Sequence, residues 1–238
     1  MNPLASDDLA LSLAIEFRNQ QFWEMLKKYV TPDLYERPEE GPLTILNVAC
    51  GRCEEARCLC AFFSSGIYGL PTTKARLVGI DVNGKEIAEA QRIISKPPPT
   101  EANTPFTVQP QCHFIEGDAS RMFEYEDIPK LADIVVVRHQ YLMSDMEKNQ
   151  TLWFGVMKAA IYHLSSTGLG VITSYKEFEN QILLKILKLL PCEVILNEPN
   201  PFGQSIQDPK YPDVAYDKYV TLVKRLDDKP ESETEVPS

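Results

Sequence analysis

No run of about 18 apolar residues occurs in this 238-residue chain, so no membrane-spanning helix is expected. The first residues, Met1 to Asp8, lack a basic stretch leading into an apolar one and a cleavage site, which argues against a secretory leader. Positive charge is scarce: 24 Lys and Arg face 34 Asp and Glu, a formal net charge of −10. Nucleic-acid binding draws much of its free energy from clustered Lys and Arg, so a nucleic-acid partner is disfavoured. Six cysteines without a secretion signal point to reduced thiols rather than a disulfide framework. Together these absences lead us to expect a soluble cytoplasmic protein with no membrane partner. Internal repeats are also missing, and nothing in the sequence speaks to oligomeric state.

What is present is an alternation of short apolar runs with helical patterns. Residues Ser6 to Val30 carry Leu9, Leu13, Phe17, Met25 and Leu26 at near-helical spacing behind Asp7-Asp8, which predicts one long or two short helices. The Pro-bearing stretch Arg37 to Pro42 reads as a linker. Strands are then predicted at Leu43–Val48, Ala75–Ile80, Cys112–Glu116, Ala132–Val137 and Leu169–Thr173, the last after a turn at Ser165–Gly168. Helices are predicted at Glu54–Phe63 and Lys85–Ser95, around Leu152 to His163, and at Glu177–Leu190, with a helical turn near Ser120. Asn83 with Glu86, and Ser174 with Glu177, have the spacing of capping boxes. Such alternation implies a parallel sheet with right-handed crossovers. Two further strands, Cys192–Asn197 and Lys218–Arg225, lack a helix between them and are expected to be antiparallel. Ser64–Lys74 and the Pro-rich Lys96–Gln111 read as surface loops, and residues 227–238 as a disordered acidic tail. We therefore expect a helical cap over 1–40, one α/β domain over 41–226 and the tail.

The most informative stretch is Ile45-Leu46-Asn47-Val48-Ala49-Cys50-Gly51-Arg52-Cys53-Glu54, an apolar strand breaking into a small-residue turn. A second strand ends in Asp81, a carboxylate suited to ribose hydroxyls at the carboxyl edge of a parallel sheet. A nicotinamide-dependent oxidoreductase should show G-x-G-x-x-G, whereas this turn has one glycine and Asp81 lies beyond the usual spacing. The spacing Cys50, Cys53, Cys58, Cys60 invites a zinc reading, yet structural zinc knuckles lie farther apart and no histidine is near. Buried or cofactor-lining thiols and no metal are expected instead.

With seven strands and this order of motifs, the chain resembles the class I S-adenosylmethionine-dependent methyltransferases from about Leu43 to Leu226. Ile45 to Glu54 is similar to their glycine-rich first motif, Asp81 to the acidic residue after strand two, and Glu116-Gly117-Asp118-Ala119 to the adenine-side motif. Ala132 to Val137 followed by Arg138-His139-Gln140-Tyr141 is like strand four and its catalytic-face loop. The resemblance implies a seven-stranded, Rossmann-like, three-layer α/β sandwich, mostly parallel, with sheet order 3-2-1-4-5-7-6, an antiparallel last strand and an N-terminal helical cap. It implies S-adenosylmethionine as cofactor, with Asn47, Ala49 and Gly51 at the methionine part, Asp81 at the ribose, and Asp118 and Ala119 beside adenine. The family usually has an acid where Asn47 stands and glycines where Ala49 and Cys53 stand.

Methyl transfer from a sulfonium is an in-line displacement, so the protein must mainly hold donor and acceptor at near-attack distance and exclude water. His139 is a candidate base and Tyr141 a candidate acceptor-pocket residue, each weighed against an ordinary structural role. Arg138 is read as binding an anionic substrate or pairing with a surface carboxylate. His113 and His163 are read as structural. An Asn/Asp-Pro-Pro-aromatic loop after strand four, the signature of amino-methylating DNA and protein members, is absent. A small-molecule acceptor or a protein side chain remains, with the N-terminal helix as lid and Arg18, Trp23 and Tyr29 as candidate contacts. The alternative is a binding or scaffold protein on this fold without catalysis, motivated by Asn47, Ala49 and Cys53.

Overall fold

Strand β1, Leu43–Val48, is buried at every position. A strand without an exposed face belongs in the middle of a sheet covered on both sides. In the computed structural model, which describes residues 3–65, 74–96, 110–138, 146–205 and 215–226, β1 pairs in parallel with β2 (Ala75–Asp81) and β4 (Ala132–Val137). Outside them lie β3 (Gln111–Glu116) and β5 (Leu164–Ser174), also parallel. Strand β9 (Tyr219–Arg225) inserts antiparallel between β5 and β6 (Cys192–Pro199). With β9 as the seventh strand of this sheet, the order β3-β2-β1-β4-β5-β9-β6 is the 3-2-1-4-5-7-6 that the resemblance implies.

Alternate strand residues face opposite layers. Ile45, Leu77, Ile134 and Val171 pack with helices α1 (Pro3–Tyr29), α2 (Ala56–Ser64) and α3 (Gly84–Ser95). Leu46, Val78, Val135 and Ile172 pack with α4 (Met146–His163), α5 (Glu177–Leu187) and the 3-10 helix Ala119–Glu124. The result is three layers. Helix α1 is one helix rather than two, and Phe22, Met25 and Leu26 sit fully buried in the same core as β1 and α2. Trp23 meets Phe62 edge-on at 5.3 Å, and Tyr29 donates its hydroxyl to the Pro199 carbonyl, so both are packing residues rather than lid contacts.

Several local expectations are corrected. Ser174 does not cap α5, because the β5 ladder holds it opposite Tyr219; the helix starts after Lys176, and Glu179 accepts the Tyr175 amide. Asn83 does cap α3 through the Lys85 amide, but Glu86 does not close a box: it reaches Arg52 at 2.7 Å, and the Asn83 amide turns to Asp81. Ser165–Gly168 is an irregularity within β5 rather than a turn before it, where the register with β4 slips between Ala132 and Ile134. Helix α5 stops at Leu187, short of Leu190. The turn-rich segment before β9 holds a two-residue pairing of β7 (Gln204–Ser205) with β8 (Ala215–Tyr216). His163 is buried with Nδ1 2.9 Å from the Pro129 carbonyl and its ring stacked on Phe123; burial lowers its pKa. His113 is an exposed β3 residue facing Asp127. The expected surface loops at 66–73 and 97–109 and the tail at 227–238 lie outside the described residues.

Gly79 is demanded by close packing. A Cβ there would stand 2.8 Å from Phe114 and 2.9 Å from the Cys50 thiol. Gly79→Ala is expected to cost about 1–3 kcal/mol through overpacking. The check is a denaturant melt, and a stability unchanged within about 0.5 kcal/mol would refute the packing argument.

Candidate active site

The sheet order reverses between β1 and β4, and it is outside the carboxyl ends of strands at such a point that α/β proteins bind ligands. The chain leaving β1 takes left-handed backbone at Ala49 (φ 53°), Gly51 (φ 51°) and Cys53 (φ 46°). Only one of the three is glycine, and a left-handed non-glycine residue costs roughly 1–2 kcal/mol. The conformation is held from the next strand. Asp81 accepts the Gly51 amide at 2.8 Å with one carboxylate oxygen and the Asn83 amide at 2.9 Å with the other. The Cys50 amide bonds Ile80, and the Cys53 amide closes back on Cys50. A Cβ on Gly51 would meet nothing within 4 Å, so the loop borders open space there.

Behind the loop lies a buried charge relay. Asn47, 1% exposed, donates to Glu55 at 2.7 Å and to the Cys53 sulfur at 3.1 Å, while its own Oδ1 has no hydrogen-bond partner. Glu55 pairs with Arg138 at 3.1 Å. Arg138 gives Nε and Nη2 to the two carboxylate oxygens of Asp217, at 3.1 and 2.6 Å, and lies 3.9 Å over the Phe22 ring. Burial works against its charge, but Asp217 and then Glu55 outweigh it, so the Arg138 pKa is raised. Arg138 therefore pairs with buried rather than surface carboxylates. On the outer side, Arg18 pairs with Glu54 at 2.6 Å and covers the ring of Tyr216, which lies 5.9 Å from the Tyr175 ring.

These groups line one cavity of about 480 Å³, inside the roughly 300–1,000 Å³ usual for small-molecule sites. Asn47, Ala49 and Gly51 are among its walls, as are Glu55, Arg138, Tyr175 and Tyr216. Asp81 stands behind the loop, clamping it. Asp118 caps the 3-10 helix by accepting the Ser120 amide at 2.9 Å, and Ala119 is buried under that turn; neither lines the described cavity. His139 and Tyr141 lie outside the described residues.

The profile of the family described as CheR methyltransferase, SAM binding domain, matches residues 14–144, more than half of the chain. The chain belongs to this family. It is a class I S-adenosylmethionine-dependent methyltransferase. Among solved structures it resembles an S-adenosylmethionine-dependent methyltransferase from Methanosarcina mazei (11% identity, 79% of this chain and 95% of that one, TM-score 0.56). It also resembles one from Clostridium acetobutylicum (10%, 88% and 92%, TM-score 0.55) and NSun6 from Pyrococcus horikoshii (12%, 88% and 52%, TM-score 0.56). At these identities the likeness speaks to the fold. No curated protein matches the chain.

The methyltransferase's cleft suits its cofactor on two counts: the space beside Gly51 leaves backbone open to a ligand, and the orphaned Asn47 Oδ1 offers an acceptor to a donor such as an ammonium. Cys50, Cys53, Cys58 and Cys60 are buried, and burial pushes the Cys53 and Cys58 thiols up, which keeps them protonated. Among the described residues no group of three or more His, Cys, Asp and Glu is placed to hold a metal ion. Glu55, Asp217, Tyr175 and Tyr216 escaped the sequence reading. Glu55 had a faint signal, a carboxylate just past the turn, whereas Asp217 lies 79 residues from Arg138 and had none.

Proposed function

We propose that the methyltransferase acts on a small molecule or a protein side chain, with the acceptor entering past Tyr175 and Tyr216. The observation that carries this reading is a cavity lined both by the left-handed loop with Glu55 and by Tyr175 and Tyr216, with Arg18 over the Tyr216 ring. The cofactor supplies an electrophilic methyl group on a sulfonium. The residues of the chain do the rest. Asp81 fixes the loop and offers its remaining lone pairs to ribose hydroxyls, Asn47 and Glu55 face the methionine end, and Asp118 and Ala119 are assigned to the adenine side. His139, next in sequence to the cavity residue Arg138, takes the acceptor proton near neutral pH, and Tyr141 borders the acceptor. The net charge of −10 supports a partner other than nucleic acid, and the free thiols support a reducing, cytoplasmic setting. The helical cap of residues 1–40 belongs to the same proposal: α1 brings Arg18 and Asn19 to the cavity wall.

Calorimetric titration with S-adenosylmethionine and S-adenosylhomocysteine tests the cofactor half. Incubation with methyl-labelled cofactor and a cell extract, ultrafiltered into small-molecule and protein fractions, tests the acceptor half. Tyr216→Ala is expected to leave cofactor affinity within about twofold while raising the acceptor KM about tenfold, ~1.4 kcal/mol. Folded protein that binds neither ligand would overturn the reading in favour of the scaffold alternative. Label entering only an added nucleic-acid fraction would overturn the acceptor class.

A further inference from the structure

The loop between β1 and α2 carries Cys50-Gly51-Arg52-Cys53, two thiols that the methyl-transfer reading leaves unused. In proteins of reducing compartments, C-x-x-C beside a βαβ unit is the spacing of redox-active dithiols. The backbone here meets the first requirement of such a pair. The Cys53 amide donates to the Cys50 carbonyl at 2.8 Å and closes a four-residue turn. A turn closed this way keeps its end Cα atoms within about 7 Å, the span a disulfide bridges. The side chains meet the second requirement, because the two thiols are hydrogen-bonded to each other.

Both cysteines line the cavity, next to Ala49 and Gly51, yet their positions differ. Cys50 is 9% exposed and Cys53 only 1%. Burial, reinforced by the contact with Cys50, holds the Cys53 thiol high. Cys50 is therefore the sulfur that an incoming reagent meets, and Cys53 the one that resolves. The thiols farther along α2 face elsewhere: Cys58 donates to the Asn19 carbonyl at 3.5 Å, and Cys60 meets Cys112 of β3. Neither Cys58 nor Cys60 lines the cavity.

We propose that Cys50 and Cys53 form a thiol–disulfide couple that a hydroperoxide oxidises, and that the disulfide form loses affinity for the cofactor. The second half rests on the cofactor reading above. The Cys50 sulfur attacks a peroxide oxygen, the O–O bond breaks, and Cys50 becomes a sulfenic acid while water or an alcohol leaves. The Cys53 sulfur then attacks the Cys50 sulfur, the S–O bond breaks, and the hydroxide leaves with the Cys53 proton as water. Two electrons pass from the thiols to the peroxide, and an external dithiol returns them. A disulfide sets the dihedral about its sulfurs near ±90°, roughly, so both sulfurs must shift. The Cys50 sulfur is packed where a Cβ on Gly79 would stand 2.9 Å away, and the Cys53 sulfur accepts the Asn47 amide at 3.1 Å. Asn47 also carries the orphaned Oδ1 that suits the cofactor ammonium, so oxidation disturbs the methionine end of the cleft.

The test treats folded protein with hydrogen peroxide, with and without S-adenosylhomocysteine, and maps it with trypsin before and after dithiothreitol. Trypsin cuts after Arg52, between the two cysteines, so their disulfide holds together two peptides that dithiothreitol separates. That linked pair is the expected product, and bound S-adenosylhomocysteine should slow its formation at least about fivefold. Oxidised protein is expected to bind S-adenosylhomocysteine about tenfold more weakly and to recover with dithiothreitol. Cys53→Ser should stop at a sulfenic acid on Cys50, which dimedone traps. A linkage of Cys60 to Cys112 instead, no linkage at all, or a Cys50–Cys53 disulfide that binds the ligand within about twofold of the reduced protein would overturn the inference. Reduced protein that binds no S-adenosylhomocysteine would overturn the cofactor reading, and the inference with it.

Discussion

Arg138→Leu is expected to be the most destabilising single change in the site, costing about 3–5 kcal/mol. The substitution leaves Glu55 and Asp217 buried with no cation between them and removes the guanidinium from the face of Phe22. A chain of this size loses roughly 2–4 °C of Tm per kcal/mol, so calorimetry should show a fall of ten degrees or so. The control is Arg52→Leu. Arg52 pairs with Glu86 at 2.7 Å, but its side chain is 46% exposed, and a pair that open to water contributes little. A deficit no larger than that of Arg52→Leu would refute the relay.

The second large effect is on cofactor affinity. Asp81→Ala should weaken S-adenosylhomocysteine binding ten- to hundredfold, since hydrogen bonds to charged groups contribute about 1.5–3 kcal/mol. The direct loss is the proposed ribose contact. The indirect loss is the clamp, because Asp81 holds the Gly51 amide and, through it, a loop with left-handed residues at Ala49, Gly51 and Cys53. Asp81→Asn should recover little: its amide nitrogen would face one of the two backbone N–H donors that Asp81 now accepts. Titration calorimetry on folded variants is the check. An Asp81→Ala protein that binds within about twofold of wild type would mean that the cofactor lies elsewhere.

The centre of the fold was legible because its cause is local. Strands β1 and β4 are covered on both sides, and such cover appears in a sequence as a mostly apolar run, broken here only by Thr44, Asn47 and Asp133; Leu43–Val48 and Ala132–Val137 match their predicted bounds residue for residue. Asp81 could be picked out for a similar reason, as a carboxylate ending such a run. Helix ends were harder to read. Ser174 and Glu177 have the spacing of a capping box, but pairing of Ser174 with Tyr219 outweighs one side-chain bond, and Glu179 serves the Tyr175 amide instead. The length of β5 was hidden because Gly168, a turn former in isolation, lies where a Cβ would stand 2.7 Å from the Asp133 carbonyl, so here it is needed for the close approach of β4.

By itself, then, the amino-acid order determined the sheet, the loop after β1 and the acid after β2, since apolar runs, small residues and a strand-end carboxylate act within a few positions of themselves. The ion pairs behind the cavity wall were decided only by the tertiary structure. Glu55, Arg138 and Asp217 come from three distant parts of the chain, and nothing in the sequence links any one of them to the other two. Only when α2, the end of β4 and the turn before β9 close on one another do the two carboxylates come to share the Arg138 guanidinium.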